Sequence, residues 1–193
     1  MNVLIVFTHP NKESLNGAFL KNVVKGCKEN GLIKDIQLLD LYEENFNPIL
    51  YFDEKNKRRH MHKNPVFAKY RELLLWADKV VFIYPIWWGR PPAMLLGYFD
   101  QVFSAHFAYK NTGKYTAKGL LKGKSVICIS TMKGPRMYPF FLLHNVHKNL
   151  MKKAVFQFVG MKKVKFFEFG NMEASGQAKK LERIYRYFRK MNS

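Results

Sequence analysis

The stretch Lys79-Val80-Val81-Phe82-Ile83-Tyr84-Pro85-Ile86-Trp87-Trp88-Gly89-Arg90-Pro91-Pro92 reads as a strand, a stop and a helix start. Lys79–Tyr84 is a short apolar run ended by Pro85, as expected of a strand buried on both faces. Pro91-Pro92 suits a first helical turn, where a missing N–H costs little. The helix then continues through Met94, Leu95, Tyr98, Phe99 and Val102. The same unit recurs to either side. Val3–Thr8 is a strand, and Leu15, Phe19, Val23 and Cys27 follow at helical spacing, with Ser14 or Asn16 as cap and Asn30-Gly31 as stop. Ile36–Leu41 is the next strand, and Glu43–Asn64 has no clean period and reads as a long loop. Pro65 opens a helix through Tyr70, Leu73, Leu74 and Ala77. Ala108–Lys122 is polar and reads as a second long loop. Ser125–Ser130 is a strand, followed after Gly134-Pro135 by a helix near Leu143–Phe158. Lys163–Phe169 is the last strand, with a helix from about Ser175 to Met191 striped by Leu181, Ile184, Tyr185 and Phe188. Five strands alternating with five helices place the chain in the α/β class, an open parallel sheet with helices on both faces. No repeat or linker divides it, so one domain over residues 1–193 is expected.

Composition narrows the function. The chain has 193 residues, of which 48% are hydrophobic and 24% charged, a globular balance. No apolar run reaches the ~18 residues a membrane span needs, and with Met1 and Asn2 leading straight into Val3 a signal peptide is not expected. Two cysteines, Cys27 and Cys128, make no disulfide framework and read as small core residues, so a cytoplasmic location is expected. Lys+Arg 33 against Asp+Glu 14 gives a net charge of +19. The tightest basic groups are Lys55-Asn56-Lys57-Arg58-Arg59, Lys162-Lys163-Val164-Lys165 and Lys179-Lys180. Such charge suits nucleic acid or an anionic membrane surface. Its spread along the chain favours a lysine-coated surface over a sequence-specific nucleic-acid site, with peripheral membrane association left open.

In open parallel sheets ligands bind at the carboxyl ends of the strands, where strand order reverses. Three loops therefore matter. The first, His9-Pro10-Asn11-Lys12-Glu13-Ser14-Leu15-Asn16-Gly17, has neither G-x-G-x-x-G nor G-x-x-x-x-G-K-[ST], which disfavours a standard dinucleotide fold and a P-loop NTPase. It sets an imidazole, a hydroxyl and an amide beside a helix N-terminus, whose free N–H groups and positive dipole suit a phosphate. Ser14 and Asn16 are equally explained as caps. The second loop carries Trp87 and Trp88, two indoles that either stack on a flat aromatic ligand or pack on the following helix. The third, Thr131-Met132-Lys133-Gly134-Pro135, adds hydroxyl, backbone N–H and cationic donors. Phosphate, aromatic plane and polar edge together describe a flavin nucleotide site. His60-Met61-His62, and His144 with His147, lack acidic or thiolate neighbours in sequence, so no metal site is expected.

The order and spacing of these pieces resemble the flavodoxin-like NAD(P)H:quinone oxidoreductases, the family of DT-diaphorase and its bacterial relatives. The resemblance is carried by His9-x4-Ser14-Leu15-Asn16, Asp40-Leu41-Tyr42-x2-Asn45-Phe46-Asn47-Pro48, Ala77-Asp78, Pro85-x2-Trp88, Pro92-Ala93-x3-Gly97-x-Phe99 and Phe107-Ala108-Tyr109. It implies a three-layer sandwich with strand order 2-1-3-4-5 and a tightly bound flavin, FAD in preference to FMN. By resemblance His9, Ser14, Leu15 and Asn16 hold the phosphate-bearing arm, and Pro85, Ile86, Trp87 and Trp88 line the isoalloxazine ring. Ser130-Thr131-Met132-Lys133-Gly134-Pro135 stands where the family has a Thr-Thr-Gly-Gly-like turn at the polar edge, with Met132 and Lys133 replacing two small residues. Tyr138 and His144, six residues apart, match a pair set over the flavin in DT-diaphorase-like members. Tyr109 matches a position that reaches the substrate pocket from the other subunit, which implies a two-fold homodimer with the site at its interface.

The implied chemistry is two-electron transfer by a ping-pong sequence. NAD(P)H arrives as a diffusible co-substrate, reduces the flavin and leaves, and a quinone-like acceptor then uses the same face. Charge developing near N1 and O2 would be met by Tyr138–His144 and by donors from Thr131 to Gly134, with Lys133 a second source of positive charge. An azo or nitro compound reductase would use the same machinery. A flavodoxin-like electron carrier and an ancillary regulatory subunit of a potassium-efflux system are the readings from other classes.

Overall fold

The computed structural model describes residues 1–55, 57–135, 137–171 and 176–192, without the side chain of Tyr138. Its strands are β1 (Asn2–Phe7), β2 (Asp35–Asp40), β3 (Lys79–Pro85), β4 (Tyr109–Asn111), β5 (Ala117–Gly119), β6 (Ser125–Thr131) and β7 (Lys163–Phe169). Five of them pair in parallel in the order β2-β1-β3-β6-β7, while β4 and β5 form a separate antiparallel hairpin. With the hairpin set aside, this is the 2-1-3-4-5 order. The helices are α1 (Leu15–Lys28), α2 (Ala68–Trp76), α3 (Ala93–Val102), α4 (Tyr138–Leu142), α5 (Val146–Asn149) and α6 (Gln177–Lys190).

Period-two alternation in the strands builds two cores. Leu4, Val6, Val80, Phe82, Tyr84, Val126 and Cys128 face a core shared with Leu74 of α2, Leu95 and Tyr98 of α3, and Phe156. Val3, Ile5, Val81, Ile83, Ile127 and Ile129 face the other, shared with Phe19 and Val23 of α1 and Ile184 and Phe188 of α6. Every residue of β3 is buried, as its sequence predicts for a central strand. Each fully buried large apolar side chain contributes about 1.5–3 kcal/mol, so these layers fix where the strand ends lie. Cys27 and Cys128 are both buried and free, in opposite cores.

The connections depart from the sequence reading in three places. Within Glu43–Asn64 a 3-10 helix forms over Arg58–Lys63 and buries Met61. Within Ala108–Lys122 the β4–β5 hairpin forms, and Leu120 N donates to Ala108 O across it. The helix expected near Leu143–Phe158 begins only at Val146, because His144 and Asn145 both take left-handed backbone, and it widens into a π-helix over Leu150–Gln157. The last helix begins at Gln177, and the expected start at Ser175 lies outside the described residues.

Candidate functional site

The β1, β3 and β6 strands end side by side, and their three loops meet. His9 and Asn16 from the first, Pro85, Ile86 and Trp87 from the second, and Thr131, Met132 and Lys133 from the third line one cleft of about 230 Å³. Backbone bonds hold the rims together: Ile86 N donates to Thr131 O at 2.7 Å, Thr8 N to Ile83 O at 2.9 Å, and Met132 N to Phe169 O at 2.9 Å.

The first loop is wound tightly over the start of α1. Ser14 is the N-cap, its Oγ accepting from Gly17 N at 3.3 Å. A Cβ at Gly17 would lie 1.7 Å from Lys12 O, so glycine is what lets the loop fold back over the helix end. Lys12 is tied outward to Asp40 and Glu43. The first-turn N–H groups of an α-helix have no intrahelical acceptors, and in α1 Gly17 N is met by the Ser14 cap. His9 is half-buried, with Nδ1 at 3.0 Å from Asn11 N and 2.8 Å from Asn11 O, so the ring is tied to the loop in either tautomer. Burial lowers its pKa, against the bond to Asn11. Its ring lies 6.3 Å from that of Trp87. Asn16 is buried, its Nδ2 donating to Thr131 Oγ1 at 2.8 Å, while its Oδ1 has no partner among the described residues. Leu15 is half-buried and packs on the α1–α6 core.

The second loop turns sharply. Trp87 N and Arg90 O, and Arg90 N and Trp87 O, bond at 3.0 and 3.1 Å, with Trp88 and Gly89 at φ 53° and 70°. Both central residues at positive φ make this a type I′ turn. It leaves Trp87 43% exposed beside the cleft and Trp88 96% exposed at the tip, away from it. The sequence treats the two indoles alike, and the turn separates them.

Ser130 is fully buried and its Oγ has no partner among the described residues. It alternates with Thr131 on the strand, so the two side chains point to opposite faces of the sheet. Gly134 accepts from Asn171 N at 3.0 Å at the outer end of the third loop. His144 is exposed, and its carbonyl accepts from Asn149 Nδ2 at 3.1 Å. The side chain of its expected partner Tyr138 lies outside the described residues. Tyr109 is apart from the cleft in this chain: its ring lies 4.9 Å from Phe158, beside a cavity of about 190 Å³ that Phe99, Phe103 and Ser104 also line.

The sequence gives no prominence to His147, yet it is the hub of a buried polar chain. Its Nδ1 lies 3.0 Å from Glu168 Oε1 and its Nε2 2.8 Å from Tyr84 Oη. A carboxylate only accepts, so Nδ1 carries a proton and donates to Glu168, and Nε2 pairs with the Tyr84 hydroxyl. Lys148 Nζ closes the chain at 2.5 Å from Glu168 Oε2. Burial pushes the Glu168 carboxyl up, but the bonds from His147 and Lys148 outweigh it and hold the group below its usual range. The register aligns Tyr84, Ser130 and Glu168 across β3, β6 and β7 just below the cleft. The chain pins α5, and with it the loop after β6, to the sheet. No local pattern reveals this, because the partners lie 63 and 21 residues away.

The donor set fits a flavin nucleotide. A helix N-terminus and Ser14 suit an anionic arm, Trp87 flanks the cleft, and the buried Asn16 Oδ1, unpaired among the described residues, lies in its wall. Comparison with known proteins identifies the scaffold. The family model described as a flavodoxin-like fold matches residues 1–191. An NAD(P)H oxidoreductase of Haemophilus influenzae is 33% identical over 89% of this chain and 85% of its own length. The rat NAD(P)H dehydrogenase [quinone] 1 is 28% identical over 76% of this chain, which spans 58% of that longer protein. Among solved structures, Smu.1420 of Streptococcus mutans superposes with a TM-score of 0.90 at 36% identity, over 99% of this chain and 100% of that one. An FMN-dependent NADH-azoreductase of Bacillus anthracis, solved with FMN, shares the fold with a TM-score of 0.71 at 18% identity, over 98% of this chain and 96% of its own. The carboxyl-end cleft thus lies on the scaffold those proteins share, and the chain belongs to the flavodoxin-like NAD(P)H:quinone oxidoreductase family.

Proposed function

We propose that this chain is a flavin-dependent NAD(P)H oxidoreductase acting on quinone-like acceptors, with azo compounds as the second acceptor class. The observation that carries the reading is the single cleft shared by the three carboxyl-end loops, with the unpaired Asn16 Oδ1 in its wall. A flavin seated there would supply a ring that takes two electrons and a proton from NAD(P)H and returns them to an acceptor. The chain's own residues do the rest. The α1 N-terminus and Ser14 hold the anionic arm. Trp87, Pro85 and Ile86 form the side wall that excludes water. Asn16 and Thr131 orient the polar edge, and Lys133 brings positive charge to the side where negative charge develops. Tyr138 and His144 are proposed to act together on that charge from the loop after β6. Trp88, Phe140, Phe141 and Leu142 are exposed apolar side chains, which supports a two-fold dimer that covers them and brings Tyr109 to its partner's cleft.

The test is direct. The purified protein is expected to be yellow, with one flavin per chain. Acid release and chromatography then identify it: the preference read from the sequence predicts FAD, against the FMN held by the Bacillus anthracis azoreductase. A colourless protein that takes up neither FAD nor FMN would sink the proposal. Stopped-flow reduction by NADH and NADPH, followed by mixing with a quinone or an azo dye, ranks the co-substrates and acceptors.

A further inference from the structure

A second constellation lies at the opposite end of the sheet. There β3, β6 and β7 start in register, Lys79 beside Ser125 and Ser125 beside Lys163. Lys165, two residues on, points to the same face as Lys163. With Tyr187 of α6 these side chains line a cavity of about 280 Å³. Past Lys165 and Tyr187 it opens into a wider depression bordered by Arg183.

Lys79 is the unusual member. It is only 7% exposed, and its one hydrogen bond among the described residues is a long one, 3.4 Å to Asn192 O. Burial lowers its pKa, and the ammonium groups of Lys163 and Lys165 lower it further. The opposing influence is Cys27, whose thiol is itself pushed up to about 12 by burial and so is neutral at pH 7. Among the described residues no Asp or Glu lines either cavity. Glu182, on α6, is taken by Arg186 at 2.5 Å. Burying a charge without a counter-charge is costly, and the buried Lys79 is joined at this cleft by the exposed Lys163 and Lys165.

We propose that this cleft binds a phosphate-bearing polyanion of the oligophosphate class, seated between Lys79, Ser125, Lys163 and Lys165 and reaching Arg183. The donors suit phosphate. Ammonium groups offer compact charge with three donors each, and a guanidinium offers a fork that matches two phosphate oxygens. Base recognition is not provided for, because the Tyr187 ring is already covered by Lys165 Nζ at 4.2 Å and by the rings of Phe167 and Phe188 at 4.8 and 5.3 Å. The recess of Lys79 favours a free oligophosphate over a headgroup in a flat bilayer. The site is remote from the carboxyl-end cleft, so it does not depend on the flavin reading.

The experiment is calorimetric titration of the full chain, with whatever cofactor it carries, using sodium tripolyphosphate. Saturable one-to-one binding that weakens with salt is expected. Lys79→Met and Lys165→Ala should each weaken it by about tenfold or more, the scale of one charge-assisted contact. Lys118→Ala, the same charge change on the β5 strand, should change it by less than about twofold. Thermal melts check folding, and Lys165→Ala carries the test if Lys79→Met does not fold. In a parallel arm, sedimentation with phosphatidylglycerol–phosphatidylcholine vesicles asks whether a headgroup takes the site: retention lost in Lys79→Met assigns the phosphate to lipid, and equal retention assigns it to the soluble ligand. Two outcomes overturn the site: no saturable binding to either probe, or equal losses in all three variants.

Discussion

Trp88 combines a left-handed backbone, at φ 53°, with a side chain that is 96% exposed. Left-handed backbone costs a bulky residue about 1–2 kcal/mol, and an indole in water recovers none of it by packing. Replacing it with glycine is therefore expected to stabilise the dilute chain by about 1 kcal/mol in urea denaturation. The same variant is expected to weaken self-association, because the turn tip is the residue a second copy would cover. A destabilised Trp88→Gly chain would show that the indole packs on its own subunit. Asn16 makes the opposite case. Its Nδ2 is bonded to Thr131, while its buried Oδ1 waits for a donor. Asn16→Leu removes both, so stability should shift by less than about 1 kcal/mol, whereas flavin affinity should fall by about tenfold or more, the value of one lost hydrogen bond in a dry site. Flavin fluorescence titration reads that loss, and unchanged affinity would remove Asn16 from the site.

The elements show what local pattern can and cannot reveal. The buried chain Tyr84–His147–Glu168–Lys148 joins β3, α5 and β7. His147→Phe leaves the Glu168 carboxylate and the Tyr84 hydroxyl short of partners, and should cost about 3 kcal/mol, the lower end for breaking a buried pair. Because the folded-state pKa of Glu168 lies below its unfolded value, its contribution is complete above the unfolded carboxylate range and is lost as pH falls through the folded value. Denaturation at pH 7 and pH 4 should show this loss, and Glu168→Gln should flatten it; an unchanged pH dependence would refute the role. The strands were legible because apolar runs such as Val80–Tyr84 carry their burial in their composition, and the carboxyl-end rule then named the three loops. The motif pieces Asn47-Pro48 and Gly97 were legible only as a resemblance. In the fold they meet, since a Cβ on Gly97 would lie 2.2 Å from Pro48 O. His147 was illegible because its partners are far along the chain. The hairpin β4–β5 was missed because its three-residue strands are too short and polar to show a period.

At the scale of the whole molecule two forces compete. The turn after β3 and helix α4 expose apolar side chains, with Trp88 96%, Phe140 55%, Phe141 66% and Leu142 65% exposed. Apolar surface of this kind favours association. Each chain also carries a net charge of +19, so bringing two together is opposed by repulsion that salt screens over about 8–10 Å at moderate ionic strength. Dimerisation through this apolar surface must therefore tighten as salt is added. Binding to nucleic acid through the same diffuse charge must weaken as salt is added, because it rests on counterion release. Sedimentation velocity and DNA retention on one preparation, measured across a salt series, should thus move in opposite directions. Phe141→Asp should abolish the dimer at every salt concentration while leaving DNA retention close to that of the parent chain, since it changes the charge by one unit in 19. A dimer that dissociates as salt rises would mean that ion pairs, not this apolar surface, hold the copies together. DNA binding that persists at high salt with sequence preference would mean that the basic surface reads bases. Either result would reassign a face of the molecule, and only the first would touch the proposed place of Tyr109 in its partner's cleft.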